Sequence, residues 1–372
     1  MESSVVVSPP HVAGPFRMHP FRGLMLVPRR VGDPASARAF ARPYREVAGR
    51  LRQWESRGHV HRDPTPALYV HEYTGGGITI RGIVGALDLS RRATRADQAV
   101  VYPHEGIHPA QSAELADRMS EMGMNPAPIL LVHRGPSAAR RLIHDVIAAP
   151  PDHEFTDRAE HRNRIWAIRD TQRLEDLATA VGPSRALIAD GHHRYAAYLR
   201  MQESHPGTPA DRGLAMVVDQ DDTPLFLGAI HRVLSGTRLD DLRQAADRMA
   251  EVRTAISREA AVDALAPHTM VATDGEVWTT LRLRSTSRAA VEQLHQDLIP
   301  ALGRAPGRIG HHHSVDDVLS HLPARGVAVL MPAIDYDVVR RVVADERLLP
   351  EKATSFQPKP SLGVLMRSLR DE

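Results

Sequence analysis

Ten consecutive residues, Ala186-Leu187-Ile188-Ala189-Asp190-Gly191-His192-His193-Arg194-Tyr195, restrict the fold more than any other stretch of the chain. Four apolar residues read as a short buried strand, Asp-Gly as a tight turn, and the residues from His192 onward as the start of a helix. A buried strand feeding straight into a helix belongs to an α/β architecture. Asp190 is placed to cap the helix, and Gly191 allows the turn. The amide N–H groups of the first helical turn, two imidazoles and a guanidinium then add up to an anion site of the kind phosphates prefer. The plainer alternative is that Asp190 only caps while both histidines pack or face water.

Around this core the chain of 372 residues is long enough for two or three domains. Residues 1–20, rich in Pro, Ser and Val, read as a flexible arm. Residues 21–235 read as the main domain with a β-rich beginning, 236–348 as a smaller α+β domain, and 349–372 as a motif-bearing tail that packs back on the site. Apolar residues at Tyr44, Val47, Leu51 and Trp54 predict a helix over 42–57. A hairpin is expected around Thr74–Gly77, a strand at Ala99–Tyr102, a helix at Ala113–Met122 and a strand at Ala127–His133. Helix broken softly near Thr171 is expected over 158–180, then the helix after Asp190 and a strand pair at 214–218 and 225–231. Beyond Ser235 the pattern predicts helices over 239–251, 258–265 and 287–298, a hairpin around Asp274-Gly275 and a strand at 326–332.

Composition removes several chemistries. The chain has no cysteine, so disulfides, Cys-ligated zinc, iron–sulfur clusters and thiol nucleophiles are excluded. Forty-seven basic against 45 acidic side chains leave a formal charge of +2, so no overall field calls for nucleic acid or a membrane. No apolar run approaches the roughly 20 residues of a membrane span, and the amino terminus lacks a secretory pattern, which together predict a cytoplasmic protein. The oligomeric state is not legible. Only two of the 47 basic residues are lysines, Lys352 and Lys359, and both fall in the tail. In an arginine-rich chain, two ammonium groups so close together draw attention to that segment.

His104-Glu105-Gly106-Ile107-His108 matches the helical H-E-x-x-H zinc-hydrolase pattern. That chemistry needs both histidines on one helical face, yet Pro103, Gly106 and Pro109 oppose a helix there. The segment is expected to be a strand-to-loop junction with exposed histidines, or one in which Glu105 alone carries chemistry. His311-His312-His313 could chelate a metal, but adjacent histidines do not converge on one ion without special backbone geometry. A phosphate-binding P-loop, a nucleophile elbow and a dinucleotide fingerprint are all absent from the sequence.

Asp-Gly-His-His-Arg opening a helix resembles the ParB/sulfiredoxin-like superfamily, which includes ParB-type CTPases, sulfiredoxins and free-serine kinases. The order of Pro103-His104-Glu105, a helix, Asn125-Pro126-Ala127-Pro128-Ile129 and then Asp190–Arg194 fits that resemblance. Along nearly its whole length the chain is similar to the domain-of-unknown-function 1015 family. Pro20-Phe21-Arg22-Gly23, Pro66–Val70, Arg81-Gly82, Pro103-His104-Glu105, His161 with Trp166, Asp190–Tyr195, His231-Arg232, Pro350–Thr354, Phe356, Pro358-Lys359 and Gly363 carry the likeness. Lys352-Ala353-Thr354-Ser355-Phe356 departs from the Lys-Ser-Thr-Tyr-Phe pattern of relatives, with Ala353 and Ser355 in place of Ser and Tyr. Ala196 and Ala197 stand where relatives often carry an acidic residue.

The resemblance implies an α/β (α+β) protein with a ParB/sulfiredoxin-like core. It implies a kinase that transfers a phosphoryl group from ATP, ADP or another nucleotide, with Mg²⁺, to a small hydroxyl amino acid such as free serine. Glu105, Asp190 and His193 would be catalytic, with Glu105 and Asp190 also holding the metal. His104, Gly191, His192, Arg194, Lys352 and Lys359 would bind nucleotide and phosphate. Two other readings stay open: a ParB-like nucleotide switch, and a zinc hydrolase acting through His104, Glu105 and His108.

Overall fold

The computed structural model describes residues 6–34 and 47–370. The chain forms two compact units, Met1–Leu225 with Pro358–Glu372, and Phe226–Gln357. The sequence reading drew its lines after residues 235 and 348.

A ten-stranded mixed sheet is the body of the first unit. In chain order its strands are β1 (Val12–Ala13), β2 (Met18–His19), β3 (Leu68–Gly75), β4 (Ile78–Asp88), β5 (Ala99–Tyr102), β6 (Ile129–His133), β7 (His153–Thr156), β8 (Arg162–Ile168), β9 (Ala186–Asp190) and β10 (Arg212–Asp219). Across the sheet they run β1-β5-β9-β6-β10-β4-β3-β8-β7, with β2 on β4. The expected hairpin forms in register, Gly75 facing Ile78. Gly76 (φ 57°) and Gly77 (φ 78°) supply the left-handed pair that a two-residue turn requires.

The described helices of this unit are α1 (Val47–Ser56), α2 (Pro109–Met122), α3 (Ser137–Ile147), α4 (Thr171–Val181) and α5 (His192–Ser204). The beginning of the helix expected from residue 42, with Tyr44, lies outside the described residues. Helix α2 ends where Gly123 turns left-handed and its amide returns to Met119 and Ser120.

Two sequence expectations give way in this unit. Residues 162–168 are strand β8, not helix: Ile165, Trp166 and Ile168 are buried, and all seven residues pair with β3, from Arg162 opposite Thr74 to Ile168 opposite Leu68. Helix begins only at Thr171, where the Asp170 carboxylate accepts from the Arg173 amide at 2.9 Å. From Val6 onward the amino-terminal arm is not loose. Val7 bridges to Ile107, β1 pairs with β5, β2 pairs with β4, and Phe16 is buried. Its order comes from short backbone pairings between prolines, which leave no side-chain period to read.

A small sheet within the first unit joins residues 60–62, 23–26, 366–368 and 124–125 in that order. It anchors the carboxyl terminus. The fully buried Arg367 donates to Asn125 Oδ1 (3.1 Å), the Arg212 carbonyl (2.6 Å) and the Pro209 carbonyl (2.8 Å).

The second unit is an antiparallel sheet with helices. Its strands are β11 (His231–Ser235), β12 (Ala250–Thr254), β13 (Thr269–Thr273), β14 (Trp278–Leu283), β15 (Arg308–His312) and β16 (Gly326–Leu330), ordered β12-β14-β13-β16-β11-β15. Val233, Val271, Trp278, Ala328 and Leu330 pack with Ala261 and Val318 into its core. The α+β expectation holds, with differences of detail. Residues 225–231 do not form one strand against β10; residues 226–228 pair instead with 355–357. The helix from Leu239 stops at Ala246, and residues 250–254 enter the sheet as β12. The helix expected over 287–298 is a short α-helical turn, 290–293, that widens into a π-helical turn over 294–298. Helices α6 (Leu239–Ala246), α7 (Arg258–Asp263), α8 (Val315–Ser320) and α9 (Tyr336–Ala344) complete the part used below.

Candidate active site

Strand direction brings the site together. β5 and β9 are parallel neighbours, with Tyr102 opposite Leu187. Their carboxyl ends therefore emerge side by side, Pro103-His104-Glu105 from one and Asp190-Gly191 from the other. β6 runs antiparallel to β9, and Asp190 faces Leu130 at its beginning. Chain connectivity alone would not show that residues 104 and 192 are neighbours.

Gly191 turns at φ 95°, which a side chain opposes, and a Cβ there would stand 2.9 Å from the Arg194 guanidinium. Helix α5 begins directly after it with no side-chain cap. Asp190 is thus not the N-cap that the sequence suggested; its carboxylate is taken by two cations. Arg194 Nη2 donates to Oδ2 at 2.5 Å and Lys359 Nζ pairs with Oδ1. The first turn of α5, without a side-chain cap, starts beside a cationic pair, and a phosphate-rich ligand uses that combination.

Four histidines line the junction in two pairs. The His104 amide donates to His192 Nε2 (3.4 Å), with ring centroids 4.6 Å apart. The His108 amide donates to His193 Nε2 (3.1 Å), with the rings stacked at 5.9 Å. The His192 and His193 imidazoles are thereby both held at Nε2 against the backbone of residues 104 and 108. His104 is fully buried, and burial reinforced by His192 pushes its pKa well below the ordinary histidine value.

Residues 104–108 are not helical, and helix α2 starts only at Pro109. The two histidines of the H-E-x-x-H pattern go to different partners, so the helical zinc-hydrolase geometry is not formed. Glu105 lies next to this group, its Oε1 3.8 Å from His104 Nε2, with a small exposed fraction of 13% that leaves the carboxylate reachable.

Lys359 reaches Asp190 because its segment is pinned on both sides. Tyr73 Oη donates to the Pro358 carbonyl (2.7 Å), and Ser361 Oγ meets His161 Nδ1 (3.4 Å). Lys352 lies in the Phe226–Gln357 unit with φ 56°, and its carbonyl accepts from the buried Arg232 at 2.9 Å. Glu105, His104, Asp190, Gly191, His192, His193, Arg194 and Lys359 thus share one unit. The backbone contact of His108 with His193 makes it part of the same junction, a role that the H-E-x-x-H pattern does not signal.

The family model for Protein of unknown function (DUF1015) matches residues 18–302. The chain belongs to the DUF1015 family. No curated protein matches this DUF1015 member. Among solved structures it is similar to SbnI with C-terminal truncation from Staphylococcus aureus, at 14% identity over 78% of this chain and 90% of that one, with a TM-score of 0.44. A free serine kinase variant in complex with ADP matches at 14% identity over 72% and 89%, TM-score 0.40. A conserved hypothetical protein from Pyrococcus furiosus matches at 13% over 73% and 93%, TM-score 0.41. No described helix of this DUF1015 chain is long and apolar enough to cross a membrane.

Proposed function

We propose that the chain is a nucleotide-dependent phosphotransferase whose first unit has a ParB/sulfiredoxin-like core, acting on a small hydroxyl amino acid such as free serine. The observation that carries this reading is the arrangement at Asp190–Arg194. Arg194 and Lys359 meet at the Asp190 carboxylate, next to a left-handed glycine and a helix start without a side-chain cap, while the parallel neighbouring strand leads to His104 and Glu105.

This donor set suits a polyphosphate. Backbone amides at a helix start suit phosphate oxygens, while Arg194 and Lys359 supply the positive charge. Bound phosphate oxygens would compete with Asp190 for both cations, leaving the Asp190 oxygens for a hard cation. Asp190 and Glu105 are oxygen donors of the kind Mg²⁺ prefers, and when bound that ion neutralises phosphate charge.

Glu105 is the base. The acceptor hydroxyl oxygen forms a new bond to the terminal phosphorus, the bond to the nucleotide leaving oxygen breaks, and the hydroxyl proton passes to the Glu105 carboxylate. His193 holds the phosphate by hydrogen bonding. The identity of the acceptor class follows from the sequence resemblance to free-serine kinases.

The test is phosphate-ester formation followed by ³¹P NMR, with ATP and ADP as donors and a panel of hydroxyl amino acids. Wild-type protein should form an O-phosphorylated product, and Glu105→Gln should lower kcat at least about a hundredfold with little change in nucleotide affinity. Equal turnover in Glu105→Gln removes the proposed base, and no product from any acceptor overturns the reading.

A further inference from the structure

The histidine run at 311–313 does not act as a unit. β15 ends at His312, so successive side chains of the run point to opposite faces of the strand. His312 is the one that meets the helix following the strand. Its Nδ1 lies 2.9 Å from Asp317 Oδ2, and His321 Nδ1 lies 3.1 Å from Asp317 Oδ1. The two imidazole rings are 4.9 Å apart, and one ligand atom from each of the three residues falls within 4.8 Å of the others.

The local sequence explains why they converge. Ser314 caps α8, its Oγ accepting from the Asp317 amide at 3.1 Å, which fixes the helix start two residues after the strand. Asp317 then sits in the first turn and His321 one turn later, on the same face of α8. The buried Val318, in the core of the second unit, holds that helix in place. Strand, cap and helix thus bring two Nδ1 atoms to one carboxylate.

From this arrangement we infer a divalent transition-metal site of the zinc class formed by His312, Asp317 and His321. Four ligands at roughly 2.0–2.1 Å in a tetrahedron are separated by about 3.3 Å. The 2.9 and 3.1 Å spacings found here come within a few tenths of an ångström of that edge. Two imidazole nitrogens and one carboxylate oxygen suit borderline ions such as Zn²⁺ and Co²⁺ better than Mg²⁺ or Ca²⁺, which take oxygen. Three protein ligands leave a fourth position for water. His321 is 63% exposed, so the ion has an entry path from solvent. The site lies in the second unit and is independent of the phosphotransfer reading.

The experiment is titration of chelator-treated, full-length protein with Co²⁺, watched through the visible d–d absorption of a four-coordinate ion, followed by displacement with Zn²⁺. One equivalent per chain should bind. Asp317→Asn and His321→Ala should each weaken binding at least tenfold, while His205→Ala, an exposed histidine in the other unit, should change nothing. Zn²⁺ should raise the thermal midpoint of the wild type and not of Asp317→Asn. These ligands are at the surface, so circular dichroism should show both variants folded, and His312→Gln provides a further variant in which binding must fall. Absence of a saturable equivalent in the wild type overturns the site. So does undiminished binding in the variants, or loss caused by His311→Ala or His313→Ala instead.

Discussion

At Asp190 one carboxylate balances two cations beside a glycine that cannot be replaced without strain. Gly191→Ala puts a Cβ at φ 95° and against Arg194, at a cost of about 1–3 kcal/mol. Urea unfolding should show that loss, and the same substitution should weaken nucleotide binding because the guanidinium must move. Lys359→Met removes a charge from an exposed side chain that touches the site through one ion pair. Stability should stay within about 0.5 kcal/mol while nucleotide affinity falls about tenfold or more. A large stability loss with unchanged affinity would make Lys359 structural. The importance of Asp190 and Lys359 is legible in the sequence, one from its turn and the other from the rarity of lysine. Their pairing is not, because 169 positions separate them. The capping role expected of Asp190 failed for a related reason: local propensity cannot anticipate a cation brought in from the far end of the chain.

At the level of elements, the site depends on how the carboxyl-terminal segment is fastened. Arg367 is fully buried, and its guanidinium serves Asn125 and two carbonyls, so Arg367→Leu removes three hydrogen bonds from a buried site. We expect a loss of at least about 2 kcal/mol in chemical denaturation, together with weaker nucleotide binding through the displaced Lys359. Normal binding in the folded variant would show that residues 358–361 hold their position without the 366–368 strand. Elements governed by local rules were readable: the Gly76-Gly77 hairpin, the strand of residues 99–102, and helix α2 with its Gly123 stop. Those governed by pairing partners were not. Arg162–Ile168 carries residues compatible with helix, but seven backbone pairs with β3 and the Arg164–Glu72 ion pair make it a strand. Residues 12–13 and 18–19 are too short to show any period, yet the first forms an edge of the large sheet and the second pairs with β4.

Across the whole molecule, buried neutral histidines set the response to acid. Burial holds His71 at about 4 and pushes His133 below its ordinary value. A histidine kept neutral in this way supports the fold fully above pH 6.5 or so. As pH falls, the unfolded chain takes up the proton first, and stability drains until the folded-state pKa is passed. Between pH 6.5 and 4 His71 should remove up to about 1.4 kcal/mol per pH unit, and His71→Gln should flatten the slope by about that share. An unchanged slope would place His71 outside the acid response. Family membership and the α/β character describe the molecule at this scale, and both were readable from motifs spread along the chain; the reaction rests on the Asp190 junction. Isothermal titration of the protein with ATP, ADP and CTP in the presence of Mg²⁺, repeated with Arg194→Ala, therefore tests the account most directly. It predicts micromolar binding of at least one nucleotide that weakens at least tenfold in the variant; absence of binding to all three, or equal binding by Arg194→Ala, would contradict it.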